Sequence, residues 1–150
     1  WIKNTNYFCF VLRDIRDKNP GYQKSFYNQK NWDPSATINY INKLLKKGEN
    51  VVIINPIDFE YKIDGTTSIP QSTYDPLIRY FIYQNAQKVY AVSSGPASLL
   101  MHSKKAKYII YDQLNISKRN FEYEKKWIDP NKDWVYESSD RISLQGNILD

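Results

Sequence analysis

Four short apolar runs interrupt a chain that is otherwise rich in polar residues. They cover residues 7–12, 51–55, 88–92 and 107–111. Continuous apolar runs of this length are typical of strands that are buried on both faces of a parallel sheet. The pattern therefore predicts at least four parallel strands.

Helical patterns occupy the intervals between these runs. Asp33-Pro34 supplies an N-cap followed by a proline at the first helical position, and Gly48 marks the end of that helix. Asp75-Pro76 repeats the start signal, and a shorter helix is expected from about Pro96 to Ser103. For the helix that starts at Asp75-Pro76 the spacing predicts this buried face: Leu77, Ile78, Phe81 and Ile82.

The alternation of strands and helices predicts an α/β fold, with a Rossmann-like parallel sheet and helices on both faces. We assign residues 1–112 to this domain and residues 113–150 to a polar C-terminal extension that packs on it. A chain of 150 residues suits one domain. No apolar run approaches the roughly 20 residues of a membrane-spanning helix, so no transmembrane segment is expected.

Composition excludes several classes of site. A single cysteine and a single histidine rule out an intramolecular disulfide, a cysteine-rich zinc site and multi-histidine metal sites. The glycine-rich dinucleotide and phosphate-loop motifs are absent, which argues against a nucleotide-dependent epimerase. The net charge of +5 permits anionic ligands. The lysines of the chain are scattered and do not form a dense basic stripe, so no nucleic-acid partner is expected.

Small residues follow the third predicted strand, where an open parallel sheet binds its ligands. They are Ser93, Ser94, Gly95, Ala97 and Ser98, with Pro96 among them. Small side chains let a ligand approach the backbone, and N–H groups at a helix start favour a phosphate. The alternative is that Ser94 or Gly95 only caps the helix.

Arg13 follows the first predicted strand, and Asn55 follows the second. If the first and third predicted strands are neighbours, Arg13 and the small-residue turn meet at one edge of the sheet. A guanidinium there can bind a diphosphate through two hydrogen bonds, but a surface ion pair with Asp14 or Asp17 is the alternative.

Three other reactive residues have structural interpretations. Asp75 is expected to cap a helix, and Cys9 to be an inert thiol of the core. His102 is expected on the surface of the short helix.

The order of these elements resembles a family of enzymes. A strand ending in Arg13-Asp14, the helix at 33–48, an apolar strand and Val-Ser-Ser-Gly-Pro-Ala-Ser at 92–98 are similar to a bacterial surface-polysaccharide glycosyltransferase. The similarity is to the C-terminal half of a GT-B-fold enzyme, which binds the nucleotide sugar, and it spans residues 7–112. Some relatives have a histidine two residues before the arginine; this chain has Val11 there.

The resemblance implies that Arg13 and the turn at 93–98 bind the diphosphate of a nucleoside-diphosphate sugar. Asn55 and the loop at 56–73 would lie near the nucleotide or sugar. It further implies a glycan or other acceptor, a cytoplasmic location, and no metal or cofactor besides the donor substrate. The acceptor site and catalytic base would belong to an N-terminal half that precedes Trp1, so catalytic residues stay unassigned.

A non-catalytic α/β module that binds an anionic ligand or a protein partner is the alternative function. Binding of nucleotides and nucleotide sugars separates the two.

Overall fold

The computed structural model describes residues 5–13, 34–57, 59–92, 94–103, 105–111, 134–138 and 141–144. Its strands are β1 (Tyr7–Val11), β2 (Asn50–Ile54), β3 (Thr67–Ser68), β4 (Lys88–Val92), β5 (Tyr108–Tyr111), β6 (Trp134–Ser138) and β7 (Arg141–Leu144). Its helices are α1 (Pro34–Lys46), α2 (Gln71–Tyr74), α3 (Pro76–Asn85) and α4 (Gly95–Met101).

These described strands form one sheet in the order β3-β2-β1-β4-β5-β7-β6. The four strands predicted from sequence are parallel neighbours, with β1 paired to both β2 and β4, and β4 paired to β5. The predicted Rossmann-like α/β fold is therefore confirmed.

The sheet extends beyond the four predicted strands. A two-residue strand, β3, joins β2 in parallel, within the 56–73 segment that is expected from the sequence to be a loop. At the opposite edge β7 joins β5 in parallel, and β6 pairs with β7 in antiparallel fashion. Part of the segment at 113–150 thus continues the sheet, while residues 112–133, 139–140 and 145–150 lie outside the described residues.

Apolar side chains cover both faces of the sheet because successive residues of a strand point to opposite sides. On one face Cys9 and Val11 pack in a cluster with Ile82 of α3 and Leu100 of α4. On the other face, strand residues such as Phe10 pack in a cluster with residues of α1, namely Ile41 and Leu44. Helices therefore cover both faces, as predicted.

Helix α1 begins at Pro34 and ends as its sequence predicts. Gly48 follows its last turn with φ +79°, a left-handed conformation that glycine adopts without strain. The Gly48 N–H donates to the Leu45 carbonyl at 2.9 Å, and the Glu49 N–H donates to the Leu44 carbonyl at 3.1 Å. These two bonds give hydrogen-bond partners to carbonyl groups at the C-terminus of α1. The predicted N-cap, Asp33, lies outside the described residues.

The predicted buried face of α3 is partly wrong. Leu77 is 78% exposed and Phe81 is 39% exposed, whereas Ile82 and Tyr83 are fully buried. Ile78 packs against the same core cluster. The helix is therefore rotated about its axis, because the Tyr83 ring fills the space beside α4 and turns Leu77 and Phe81 outward.

Replacement of the buried Ile82 by alanine tests this rotation. We expect Ile82→Ala to lower the free energy of unfolding by about 2–5 kcal/mol, the range for deletion of a buried aliphatic side chain. Leu77→Ala is the matched control and should change it by less than about 0.5 kcal/mol, because that side chain is exposed. Urea denaturation followed by circular dichroism measures both. Equal losses would contradict the observed orientation of α3.

Candidate functional site

A cleft of about 520 Å³ opens at the carboxyl edge of the sheet. Its floor is formed by the ends of β1 and β2, and the start of α4 lines one side. In the sheet, β1 lies between β2 and β4. Helix α1 connects β1 to β2 across one face, and α3 leads into β4 on the opposite face. The strand order therefore reverses between β1 and β4. Ligands of open α/β sheets bind at such a reversal of strand order.

The cleft brings together four of the residues that the sequence singles out. Arg13, Asn55, Ser94 and Gly95 all line it. Arg13 and Ser94 are distant in sequence, but their strands β1 and β4 are hydrogen-bonded neighbours. Ser93 lies outside the described residues.

The start of α4 has its own hydrogen bonds. Ser94 is the N-cap, and its hydroxyl oxygen accepts from the Ala97 N–H at 3.3 Å. The Ser98 N–H donates to the Ser94 carbonyl at 3.1 Å, and the Ser98 hydroxyl donates to the Gly95 carbonyl at 2.6 Å. Capping thus accounts for Ser94. Ala97 and Ser98 are not among the described residues that line the cleft, and both of their N–H groups already have partners. Their predicted contacts with an anion stay a prediction.

Asn55 is a buried structural residue at the edge of the cleft. Its side-chain oxygen accepts from the Tyr61 N–H at 2.9 Å, and its side-chain nitrogen donates to the Ser68 hydroxyl at 3.2 Å. Its backbone carbonyl accepts from the Thr73 hydroxyl at 3.2 Å. These bonds hold the 55–68 loop and α2 against the end of β2. Asn55 therefore fixes the position of the segments that form this wall of the cleft.

Arg79 of α3 also lines the cleft, and the sequence analysis missed it. Its guanidinium donates to the Ser72 carbonyl from Nε at 2.8 Å and to the Thr73 carbonyl from Nη2 at 2.5 Å. These bonds fix the group at the end of α2, while a guanidinium has further N–H donors to offer. No sequence motif marks Arg79, because its position follows from the rotation of α3.

Positive charge dominates the described lining of the cleft. Arg13 and Arg79 line it, and none of its described lining residues is Asp or Glu. Two guanidinium groups on low-dielectric walls create a positive potential that attracts anions. The cleft therefore suits a ligand with more than one negative oxygen.

Asp75 and His102 lie where the sequence analysis expects them. The Asp75 carboxylate accepts from the Leu77 N–H at 2.8 Å and from the Ile78 N–H at 3.3 Å. It is the N-cap of α3, as predicted. His102 is exposed at the end of α4.

Titratable groups with shifted pKa values lie in the core rather than in the cleft. Burial raises the pKa of the Cys9 thiol far above its usual range, and the nearby Arg79 charge offsets this only in part. Burial also raises the pKa of Tyr7 and of Tyr83. The hydroxyls of these tyrosines donate to the carbonyls of Ile82 and Pro96. They are structural hydrogen-bond donors.

The described lining of the cleft carries cationic groups and lacks the commonest general acids and bases. None of its described lining residues is His, Asp or Glu, the usual general acids and bases. Within the described ranges no cluster of His, Cys, Asp or Glu could hold a metal ion. Among the helices of those ranges, none is long and apolar enough to cross a membrane.

No family model, curated protein or solved structure matches this chain.

The single cysteine provides a test of the core assignment. We expect the Cys9 thiol to react at least a hundredfold more slowly with 5,5′-dithiobis(2-nitrobenzoic acid) in native buffer than in 6 M guanidinium chloride. The thiolate is the reactive form, and the fully buried thiol is both protonated and inaccessible. Absorbance at 412 nm reports the rate. Fast labelling of the folded protein would place Cys9 at an accessible site instead.

Proposed function

We propose that this chain is the donor-binding domain of a glycosyltransferase that uses a nucleoside-diphosphate sugar, in the synthesis of surface polysaccharide or another glycan. The observation that carries the proposal is the pair of arginines, Arg13 and Arg79, in one cleft at the carboxyl edge of the sheet. A diphosphate presents several anionic oxygens to such a pair. Arginine suits it because a planar guanidinium can form two parallel hydrogen bonds.

The sequence pattern supports glycosyl transfer, and not only nucleotide binding, as the proposed function. The residues that resemble a glycosyltransferase fall on the elements that line the cleft: Arg13 after β1 and Ser94-Gly95-Pro96 at the start of α4. Transfer of a sugar leaves a nucleoside diphosphate with increased negative charge. Fixed cationic groups stabilise that charge as it develops.

The rest of the reaction is assigned to groups outside the described cleft. The resemblance implies that the acceptor glycan and the catalytic base are held by an N-terminal half of the enzyme, and we propose the same arrangement for this protein. The cytoplasm, expected from the sequence, is the proposed location. The donor sugar is a substrate, and no further cofactor is proposed.

A second candidate function is supported by exposed apolar residues beside the cleft. Ile57 and Tyr74 on its wall are 65% and 70% exposed, and Leu77 of α3 is 78% exposed. A non-catalytic module that binds a protein partner would use such a surface.

A panel of ligands separates the two functions. Nucleoside diphosphates and nucleotide sugars should raise the melting temperature in proportion to RT ln(1 + [L]/Kd), while nucleosides without phosphate should have little effect. A flat response at millimolar ligand would contradict the donor-binding function and favour the protein-binding module.

Arg13→Ala tests the contribution of that side chain. We expect it to weaken nucleoside-diphosphate binding by about 1.5–3 kcal/mol, the value of a hydrogen bond to a charged group. The control is Lys43→Ala, which removes the same charge from an exposed position in the last turn of α1. Isothermal titration calorimetry measures both. Unchanged affinity in Arg13→Ala would contradict its role.

Gly95→Val tests whether ligand approaches the start of α4. A Cβ at Gly95 would meet no atom within 4 Å, so we expect the variant to fold. Its branched side chain would occupy the cleft and should weaken nucleoside-diphosphate binding at least about tenfold, or 1.4 kcal/mol. Gly95→Ala is the control with a smaller side chain and a smaller expected loss. Wild-type affinity in Gly95→Val would show that ligand binds elsewhere.

A further inference from the structure

The amino edge of the sheet, opposite the arginine cleft, carries a concentration of lysines. Strands β1, β2, β4 and β5 all start at this edge, because the four are parallel. Helix α1 ends at the same edge, because β2 starts soon after its last residue. The part of this edge from β2 to β5 is named the basic edge after its five described lysines: Lys46, Lys47, Lys88, Lys105 and Lys107.

The register of the sheet brings these lysines together although they are scattered in the sequence. Lys88 begins β4, and Lys107 directly precedes β5. The Lys107 carbonyl accepts from the Val89 N–H at 2.8 Å, so Lys88 and Lys107 are neighbours on adjacent strands. Lys47 shortly precedes β2, and the strand order from there is β2-β1-β4-β5. Adjacent strands lie about 4.8 Å apart, so the basic edge spans roughly 15 Å at the strand starts.

The basic edge presents an excess of positive charge to solvent. Four of its lysines are exposed, and Lys88 is partly exposed. Glu49 is the one acidic residue among the described residues of the basic edge, which are 5–7, 46–50, 85–88, 102–103 and 105–107. The Debye length at 0.1 M salt is about 10 Å, which is comparable with the size of the edge. The lysines therefore act on an approaching anion as one positive surface.

The composition of the basic edge indicates the kind of anionic partner. A lysine ammonium is a point charge on a flexible chain, whereas a guanidinium suits bidentate recognition of a single phosphate. The cationic side chains of the basic edge are lysines, and its described residues include no exposed Phe, Tyr or Trp on which a nucleic-acid base could stack. Lysines in a row along one side of a domain suit a flat surface of many negative charges.

We infer that the basic edge binds the surface of a membrane that contains anionic phospholipids. The anionic lipids of a cytoplasmic leaflet attract clusters of lysines that lie within a Debye length of the surface. The inference goes beyond the proposed function, because none of the five lysines lines the arginine cleft. Since the cleft lies at the opposite edge of the sheet, it stays open to solvent when the basic edge meets a membrane.

Co-sedimentation of the full chain with lipid vesicles tests the inference. Vesicles of phosphatidylcholine that contain about one third phosphatidylglycerol should bind the protein at 0.1 M NaCl, while vesicles of phosphatidylcholine alone should not. Binding should fall at least about tenfold at 0.5 M NaCl, because the Debye length decreases to roughly 4 Å. Equal binding to the two kinds of vesicle, or binding to neither, would overturn the inference.

Two substitutions of exposed lysines locate the contact: Lys47→Gln and Lys105→Gln. Each should weaken binding to the anionic vesicles about fivefold, and the double variant should weaken it more than about tenfold. Lys62→Gln is the matched control, because it removes the same charge from an exposed residue between β2 and β3, outside the basic edge. It should bind vesicles as the wild type does, and circular dichroism verifies that every variant is folded.

Two results with these variants would assign the binding elsewhere. Wild-type affinity in the double variant, or an equal loss in Lys62→Gln, would show that the basic edge is not the contact surface. Duplex DNA at the same phosphate concentration is the competing polyanion. If it binds more tightly than the anionic vesicles and depends equally on Lys47 and Lys105, the edge belongs to a nucleic acid and the membrane inference is wrong.

Failure of the proposed function gives a different result. A protein that binds anionic vesicles but no nucleoside diphosphate overturns only the donor-binding function. Millimolar pyrophosphate, added at constant ionic strength, should leave vesicle binding unchanged because its proposed site is the arginine cleft. Displacement of the vesicles by pyrophosphate would show that lipid headgroups bind in that cleft, and would overturn the assignment to the basic edge.

Discussion

The parallel pairing of β1 with both β2 and β4 is the constraint on which the rest of the structure depends. A strand in this position is buried on both faces, so it must be apolar throughout, and Tyr7–Val11 meets that requirement. Parallel neighbours also end at the same edge of the sheet. Arg13, Asn55 and the start of α4 are therefore adjacent in space although they are far apart in the chain.

A buried polar network converts this edge into a cleft with a defined wall. The Thr73 hydroxyl binds the Asn55 carbonyl, and the guanidinium of Arg79 binds the carbonyls of Ser72 and Thr73. Each bond satisfies a backbone carbonyl that would otherwise be left without a partner at a strand or helix end. The same bonds place a cation on the cleft wall, so the group that stabilises α2 also provides charge to the site.

The distribution of titratable groups separates structural roles from binding roles. Cys9, Tyr7 and Tyr83 have raised pKa values because they are buried. The Tyr7 hydroxyl joins β1 to α3, and the Tyr83 hydroxyl joins α3 to α4. In the described lining of the cleft, by contrast, the charged groups are arginines, which stay protonated at any physiological pH. The proposed ligand binding through Arg13 and Arg79 should therefore depend on ionic strength more than on protein protonation.

The sequence by itself determined the elements whose signals are local. The apolar runs identified β1, β2, β4 and β5, Gly48 marked the end of α1, and Asp75 the start of α3, because strand burial and helix termination are set by neighbouring residues. The strand ends in turn indicated seven candidate site residues, of which Arg13, Asn55, Ser94 and Gly95 line the cleft. The functional resemblance also came from the sequence and stays a proposal.

Only the tertiary structure decided the features that depend on distant partners. The two-residue β3 exists because β2 lies beside it, and β7 because β5 does. The rotation of α3, which exposes Leu77 and brings Arg79 to the cleft, follows from the packing of Tyr83 against α4. A helix with apolar residues on several sides has no intrinsic preference for which side is buried. Packing against neighbouring elements therefore determines the buried side of α3.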